Sequence, residues 1–280
     1  MLIRFAKEFH RIYSQFHLKR AAAALSYYLT MTFFPLLICL YTLLGNSYAS
    51  AVQILDFAKN MIAADTLKTV ADFLAYVAEN NSTAMMLAAI FVLVSSASAA
   101  ERSLHVTIGE IQGGQRFQGI MGYAFSVIFS LLLVAAIYFA IIVMLTGGEF
   151  IQWLNSLLPF VDIGNSWSFL RFFVLAGIDY GIVWAIYEVS RRRDDKYPTH
   201  LGAVLTTLAM VGVSIAFSVF IGASTRYPLV YGSLASVILL MLWLHTACLV
   251  IYCGAALNVA LRNLSREEKQ RRFAPGQEEE

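Results

Sequence analysis

The chain has 280 residues, 59% of them hydrophobic and 14% charged, with a formal net charge of +2. A soluble domain carries roughly a quarter charged residues, so this balance, with a mean hydropathy of +0.67, excludes an ordinary soluble globule. The net charge is too small for a nucleic-acid binder, whose affinity rests on many phosphate contacts, and no nucleic-acid partner is expected.

The chain opens on an amphipathic helix over residues 1–20. Leu2, Phe5, Ala6, Phe9, Ile12, Tyr13 and Phe16 recur at i, i+3, i+4 and i+7, while Arg4, Lys7, Glu8 and Arg11 fall off that stripe. Such a helix either lies in the membrane interface or applies its stripe to a bundle.

Six long apolar stretches follow. They are Ala21–Leu44, Thr83–Ala100, Tyr123–Leu145, Phe169–Val189, Leu201–Ile221 and Gly232–Leu257. Crossing ~30 Å of hydrocarbon takes ~20 apolar residues folded as helix, because no water is present to pair an exposed backbone. The fold class is therefore all-α, a polytopic integral membrane protein with six transmembrane helices in a domain spanning residues 21–261. Ala49-Ser50-Ala51 looks like a signal cleavage site. The apolar run before it exceeds the ~7–15 residues of a signal core, so it reads as a retained first span.

Pro35 sits inside the first span and should kink it, since proline removes one helix hydrogen bond. The same span carries Ser26, Tyr27, Tyr28, Thr30 and Thr32, so one face should line a cavity or bond to neighbours. The outer loop 46–80 is too polar to cross. It reads as two short amphipathic helices within Val52–Glu79, bending near Ala63–Thr66. A shorter piece, Phe150–Leu158, places Trp153 at the outer interface.

Sixteen of the 20 Lys and Arg residues fall before span 1, between spans 2 and 3, between spans 4 and 5, and in the charged tail 262–280. Positive loops stay inside, which predicts a multi-pass cytoplasmic-membrane protein with both termini in the cytoplasm. Cys39, Cys248 and Cys253 all fall in apolar runs and read as buried free thiols.

Ionisable groups at membrane depth are candidate functional sites. Asp179 is the sharpest, near the middle of span 4 and between Gly177 and Gly181. That GxxxG should admit a neighbouring helix and turn Asp179 inward. His245, at mid-depth of span 6, is the partner to test for it, or else a packing histidine. Tyr27, Tyr28 and Pro35 form a second candidate group. Arg171, near the outer end of span 4, either snorkels to the interface or binds an anionic head group. Glu188 should pair locally with Arg191 or Arg192. No HExxH, P-loop or GxSxG occurs, and the five histidines are scattered, so neither an enzyme activity nor a metal or cofactor is implied.

Ala24-Leu25-Ser26-Tyr27-Tyr28 with Phe33-Phe34-Pro35-Leu36-Leu37 resembles the first-span motif of the YihY/BrkB family of bacterial inner-membrane proteins. Tyr231-Gly232-Ser233-Leu234-Ala235-Ser236-Val237, continuing through Leu242-Trp243-Leu244 to Gly254-Ala255-Ala256-Leu257-Asn258, resembles its last span. Ser95–Ala100 and Tyr197-Pro198 are similar to it as well. The family usually has Glu where this chain has Ala256, so a role for that Glu is either lost here or passes to Asp179 or Asn258. The resemblance implies a six-span protein linked to envelope lipid export or serum resistance, and a ribonuclease label attached to the family is regarded as mistaken. Three readings follow: a secondary transporter or flippase for a lipid or amphiphilic solute, a non-transporting envelope scaffold, and, remotely, a membrane ribonuclease. Membrane lipids are the expected partners, and oligomerisation is left open.

Overall fold

The computed structural model describes residues 2–43, 64–80, 82–114, 167–192, 195, 197–223 and 234–273, with ten helical residues between 122 and 135. All regular structure among the described residues is helical. The helices are α1 (Leu2–Gln15), α2 (Leu18–Leu43), α3 (Ala64–Glu79), α4 (Thr83–Gln112), α5 (Trp167–Ser190), α6 (His200–Ala223) and α7 (Leu234–Phe273). Five of them, α2, α4, α5, α6 and α7, are long and apolar enough to span a bilayer. Most of the predicted span Tyr123–Leu145, the outer residues 44–63 and the piece Phe150–Leu158 lie outside the described residues.

The stripe of α1 is applied to the bundle. Ile12 is buried, and Phe5, Phe9, Tyr13 and Phe16 lie against the main core. The rings of Phe5 and Phe9 stack at 6.2 Å. On the polar side Glu8 takes a 2.5 Å hydrogen bond from Arg11 and a 2.8 Å bond from Asn263 of α7, so the two ends of the chain meet. The joint between α1 and α2 is His17, at φ 47. A left-handed residue with a side chain costs about 1–2 kcal/mol, and here it turns the chain from α1 into the first spanning helix.

Helix α2 runs through Pro35 without a break. Its polar side chains are satisfied mostly within the helix. Ser26, Thr30 and Thr32 donate to the carbonyls of Ala23, Ser26 and Tyr28, at 2.9, 2.8 and 2.8 Å. Only Thr32 of these three reaches a neighbour, Ser96 of α4 at 3.1 Å. Helix α3, the second half of the predicted outer pair, buries Leu74 and Val77 against Ile38 and Met85.

Two helices outrun the predicted spans. Helix α4 starts on the Ser82 cap, which accepts from the Met85 amide at 3.2 Å, and ends on Gly113 at φ 74. It continues past Ala100 because Leu104, Ile108 and Ile111 keep helical spacing and are buried, while Arg102 and Glu110 face outward. Helix α7 is 40 residues long, about 60 Å at 1.5 Å per residue, or twice the hydrocarbon thickness. It takes in residues 262–273 of the predicted tail. Hydropathy marks where a helix leaves lipid, not where it stops.

The main core gathers at the end of the bundle that holds both chain ends. It draws on Leu18 and Leu25 of α2, Ile108 of α4, Tyr187 of α5, Ala203 of α6, and Tyr252 and Ala256 of α7. Small residues on α7 let its neighbours come close. The outward sides are apolar and exposed, as Phe91, Leu208, Ile215 and Val219 show, which is the pattern of a surface made for lipid. Helices α4 and α5 both terminate at the core end, as their contact there confirms. Among the described helical residues after 121, Ser130 lies within 3.4 Å of Ser98 on α4.

Candidate functional site

The densest polar constellation lies at the core end, where α4 stops, α5 passes into α6, and α7 leaves the spanning region. Asn258, Arg262 and Arg266 stand four residues apart, so they share one face of α7. Arg262 donates to Asp195, and Arg266 reaches the same carboxylate at 3.3 Å. Arg262 also donates to the Gln112 main-chain carbonyl at 3.2 Å, one of the orphan acceptors of a helix C-terminus. Asp195 accepts from the Tyr197 amide at 3.1 Å. Burial opposes its charge, yet Arg262, the Tyr197 amide and Arg266 outweigh that and hold its carboxyl below the ordinary range.

Around this pair the α5–α6 connection is fixed from both sides. Glu188 binds Arg191 and accepts from Thr199 at 3.0 Å, which bears out the expected local pair. Arg191 also donates to the Tyr197 carbonyl at 3.1 Å. Asn258 accepts from the Gly202 amide at 2.9 Å and donates to the Thr199 carbonyl at 3.3 Å. It thus caps the start of α6 from another helix, supplying a partner to an orphan first-turn N–H. A Cβ on Gly202 would run into the Asn258 amide, so the cap requires glycine there.

One layer deeper, Tyr187 donates to the Ile251 carbonyl at 2.6 Å and shares a 2.9 Å contact with the Thr206 hydroxyl. A Cβ on Gly254 would meet both Thr206 and Tyr187. Glu101 pairs with His105, whose Nδ1 lies 2.6 Å from Ser190. That order of groups is like a hydrolytic triad, but Glu101 and Ser190 are buried and the relay ties α4 to α5. A cleft of about 230 Å³ opens between Gln112, Gly113, Arg192, Asp195, Arg262 and Arg266.

The residues singled out from the sequence are placed differently. Asp179 faces the Thr207 hydroxyl of α6, and Oδ2 of Asp179 and Oγ1 of Thr207 are buried with no further partner among the described residues. The expected pairing with His245 is not made; His245 is half-buried on α7. Among the described residues a Cβ at Gly177 or Gly181 would meet nothing, so no described helix approaches closely there. Asp179 is two residues from each, about 200° round the helix, so the glycines and the carboxylate mark opposite sides. The close helix approach is made instead at Gly202 and Gly254.

Tyr27 is exposed while Tyr28 lies against the core, with their rings edge to face at 5.7 Å. Pro35 is half-buried. These three do not form a polar site. The side chain of Arg171 lies outside the described residues. Ala256, where the resemblance expects Glu, is fully buried among apolar groups. Of the predicted site candidates Asn258 belongs to the core-end constellation, beside the predicted Glu188–Arg191 pair. Asp195, Arg262 and Gln112 escaped notice because hydropathy put them in loop and tail. The four-residue recurrence of Asn258, Arg262 and Arg266 was a readable sign that the helix goes on. Among the described residues no group of three His, Cys, Asp or Glu side chains could hold a metal ion.

A helical bundle with an apolar, outward-facing surface and a charged constellation at one end defines a multi-pass membrane protein. The chain belongs to the family described as virulence factor BrkB, matched over residues 9–278. It is 23% identical over 263 residues to YfkH of Bacillus subtilis (strain 168), a protein named as ribonuclease-like, covering 92% of this chain and 94% of that one. It is 26% identical over 122 residues to a UPF0761 membrane protein of Idiomarina loihiensis, covering 42% of this chain and 43% of the other. A UPF0761 membrane protein of Chromobacterium violaceum is 32% identical over 74 residues, covering 26% of this chain and 18% of its own length. No solved structure matches the chain.

Proposed function

We propose that this protein is a secondary transporter or flippase of the bacterial inner membrane, with both termini in the cytoplasm, moving a lipid or other amphiphilic envelope solute. The observation that carries this reading is the Asp179–Thr207 pair. Both groups sit on spanning helices and face each other, with Asp179 Oδ2 and Thr207 Oγ1 buried and no third polar group beside them among the described residues. Polar atoms in hydrocarbon are costly unless something satisfies them, and a passing polar group or proton would do so. The concentration of Lys and Arg at the core end supports the orientation. An envelope scaffold has no use for a lone polar pair at mid-depth. Nothing among the described residues favours RNA cleavage.

The test is lipid movement by the full chain in proteoliposomes, read by dithionite quenching of a fluorescent phospholipid. The protein should accelerate exchange over empty liposomes, and Asp179→Asn should remove most of that gain while the protein still elutes as a folded species. Unchanged flux in Asp179→Asn removes the residue from the pathway. Flux no faster than in empty liposomes, for any envelope lipid tried, leaves the scaffold as the better account.

A further inference from the structure

We infer that the outward face of α1, together with the first turn of α2, is a docking surface for a bilayer of anionic phospholipid head groups. Such a surface is independent of transport, because it draws anionic lipid whether or not the protein moves any.

Arg4, Lys7, Lys19 and Arg20 are all solvent-exposed, and none of the four side chains has a hydrogen bond or ion pair among the described residues. Glu8 is the acid of α1, and α2 has none. It is already engaged, by Arg11 at 2.5 Å and by Asn263 at 2.8 Å. Four positive charges are therefore left without a counter-charge among the described residues.

Two anchors fix the depth of α1. Its last residue, Gln15, is followed within three residues by Leu18, where the apolar run of α2 begins. Its middle is held by the Glu8 contact with Asn263, which lies six residues past the end of the apolar run at Leu257. Six helical residues rise about 9 Å. Each head-group layer is roughly 5–8 Å deep, since ~30 Å of hydrocarbon sits within ~40–45 Å of bilayer. Helix α1 thus runs at head-group level, with its aromatic stripe already packed on the bundle.

Ile3 is 74% exposed and stands four residues before Lys7, on the same side of the helix. An apolar side chain set among cations suits the boundary between head groups and acyl chains. The spread of the cations selects the occupant. Helix α1 has 14 residues, about 21 Å of length, and Lys19 and Arg20 lie beyond its far end. No single small anion covers that span. A leaflet of anionic head groups does, and each Lys or Arg held at it adds to the attraction.

The experiment is electron paramagnetic resonance of the full chain in phosphatidylcholine vesicles, doped with spin-labelled phosphatidylglycerol or, separately, with spin-labelled phosphatidylcholine. Phosphatidylglycerol should be enriched at the protein boundary about twofold or more over phosphatidylcholine. The enrichment should fall in about 1 M KCl, where the screening length is about 3 Å. Arg4→Gln/Lys7→Gln and Lys19→Gln/Arg20→Gln should each remove a large part of it. All four side chains are exposed, so both double variants should keep the fold. Arg266→Gln removes a cation from the same end that already has Asp195 as its partner, and should change the enrichment little.

No enrichment in the wild type overturns the assignment, as does enrichment that survives salt or both double variants. Equal loss in Arg266→Gln also overturns it, because the preference would then follow net charge and not α1. If enrichment appears only once residues 276–280 are removed, the surface serves the three terminal glutamates of the chain, and the lipid assignment fails.

Discussion

The core end and the middle of the bundle hold their aspartates in opposite ways. At the core end Asp195, Glu188, Asn258 and Arg191 each have two or more partners, drawn from α5, α6, α7 and the loop between them. At mid-depth Asp179 and Thr207 have each other and little else. The first arrangement holds helices together. The second leaves a carboxylate facing a single hydroxyl, and the bundle tolerates it because the core end supplies the stability. The comparison teaches that in this chain the charge that organises the fold and the charge we propose for a transport pathway are different charges.

The largest expected effect is at Asp195. Asp195→Ala strands Arg262 against the Gln112 carbonyl with no counter-charge, and breaking one side of a buried ion pair costs about 3–5 kcal/mol. The variant should show a sharply lower thermal midpoint in detergent, or fail to accumulate. An Asp195→Leu/Arg262→Leu double variant removes both charges and should recover part of the loss. Asp179→Ala, by contrast, removes a carboxylate that faces only the neutral Thr207 hydroxyl among the described residues and should leave the midpoint nearly unchanged. Equal losses at Asp195 and Asp179 would erase the distinction between the two regions.

The next effect sharpens the comparison one layer down. Gly254→Ala drives a methyl group into Thr206 and Tyr187. Overpacking of this kind costs about 1–3 kcal/mol, and here it also disturbs the Tyr187 bond to Ile251. Adding Thr206→Ala should return part of the stability, because the pair is coupled through one shared space. Gly177→Ala, with nothing near its Cβ among the described residues, should be neutral. Two glycines in apolar helices would then differ only in what stands opposite them.

That contrast also shows how far the sequence could be read. Apolar length and the absence of water in lipid dictate spanning helices, so the helical class and most spans were legible. The i, i+3, i+4 stripe of α1 named the residues that bury it, though not whether lipid or bundle would receive them. Glu188 and Arg191 are three residues apart, and local pairs of that kind can be read from spacing. What could not be read is rotation. Gly177 and Gly181 announce a close approach by composition, but Gly202 and Gly254 make it, because only the assembled bundle decides which face meets a neighbour. Asp195 and Arg262 are 67 residues apart in the chain, and no periodicity links them. The sequence also favoured mid-membrane charges on cost alone, whereas the cheapest place to gather charge is where helices leave the lipid.

The smallest effect is graded with pH and separates the regions without a mutation that disrupts either. Burial would raise the Asp195 carboxyl, but Arg262, the Tyr197 amide and Arg266 together hold it below the ordinary value. Glu8 is lowered in the same way, with Arg11 and Asn263 outweighing burial. A carboxylate whose folded value is depressed stabilises the fold fully above its unfolded value, about 3.9 for Asp and 4.3 for Glu. That contribution is lost as pH falls through the folded value. The thermal midpoint should therefore hold level down to about pH 5 and decline below it. Asp195→Asn should start lower and decline less, because the group that takes up the proton is gone. If the wild-type decline is as steep in Asp195→Asn, the acid sensitivity belongs to other carboxylates, and the core-end pair contributes geometry without electrostatic linkage.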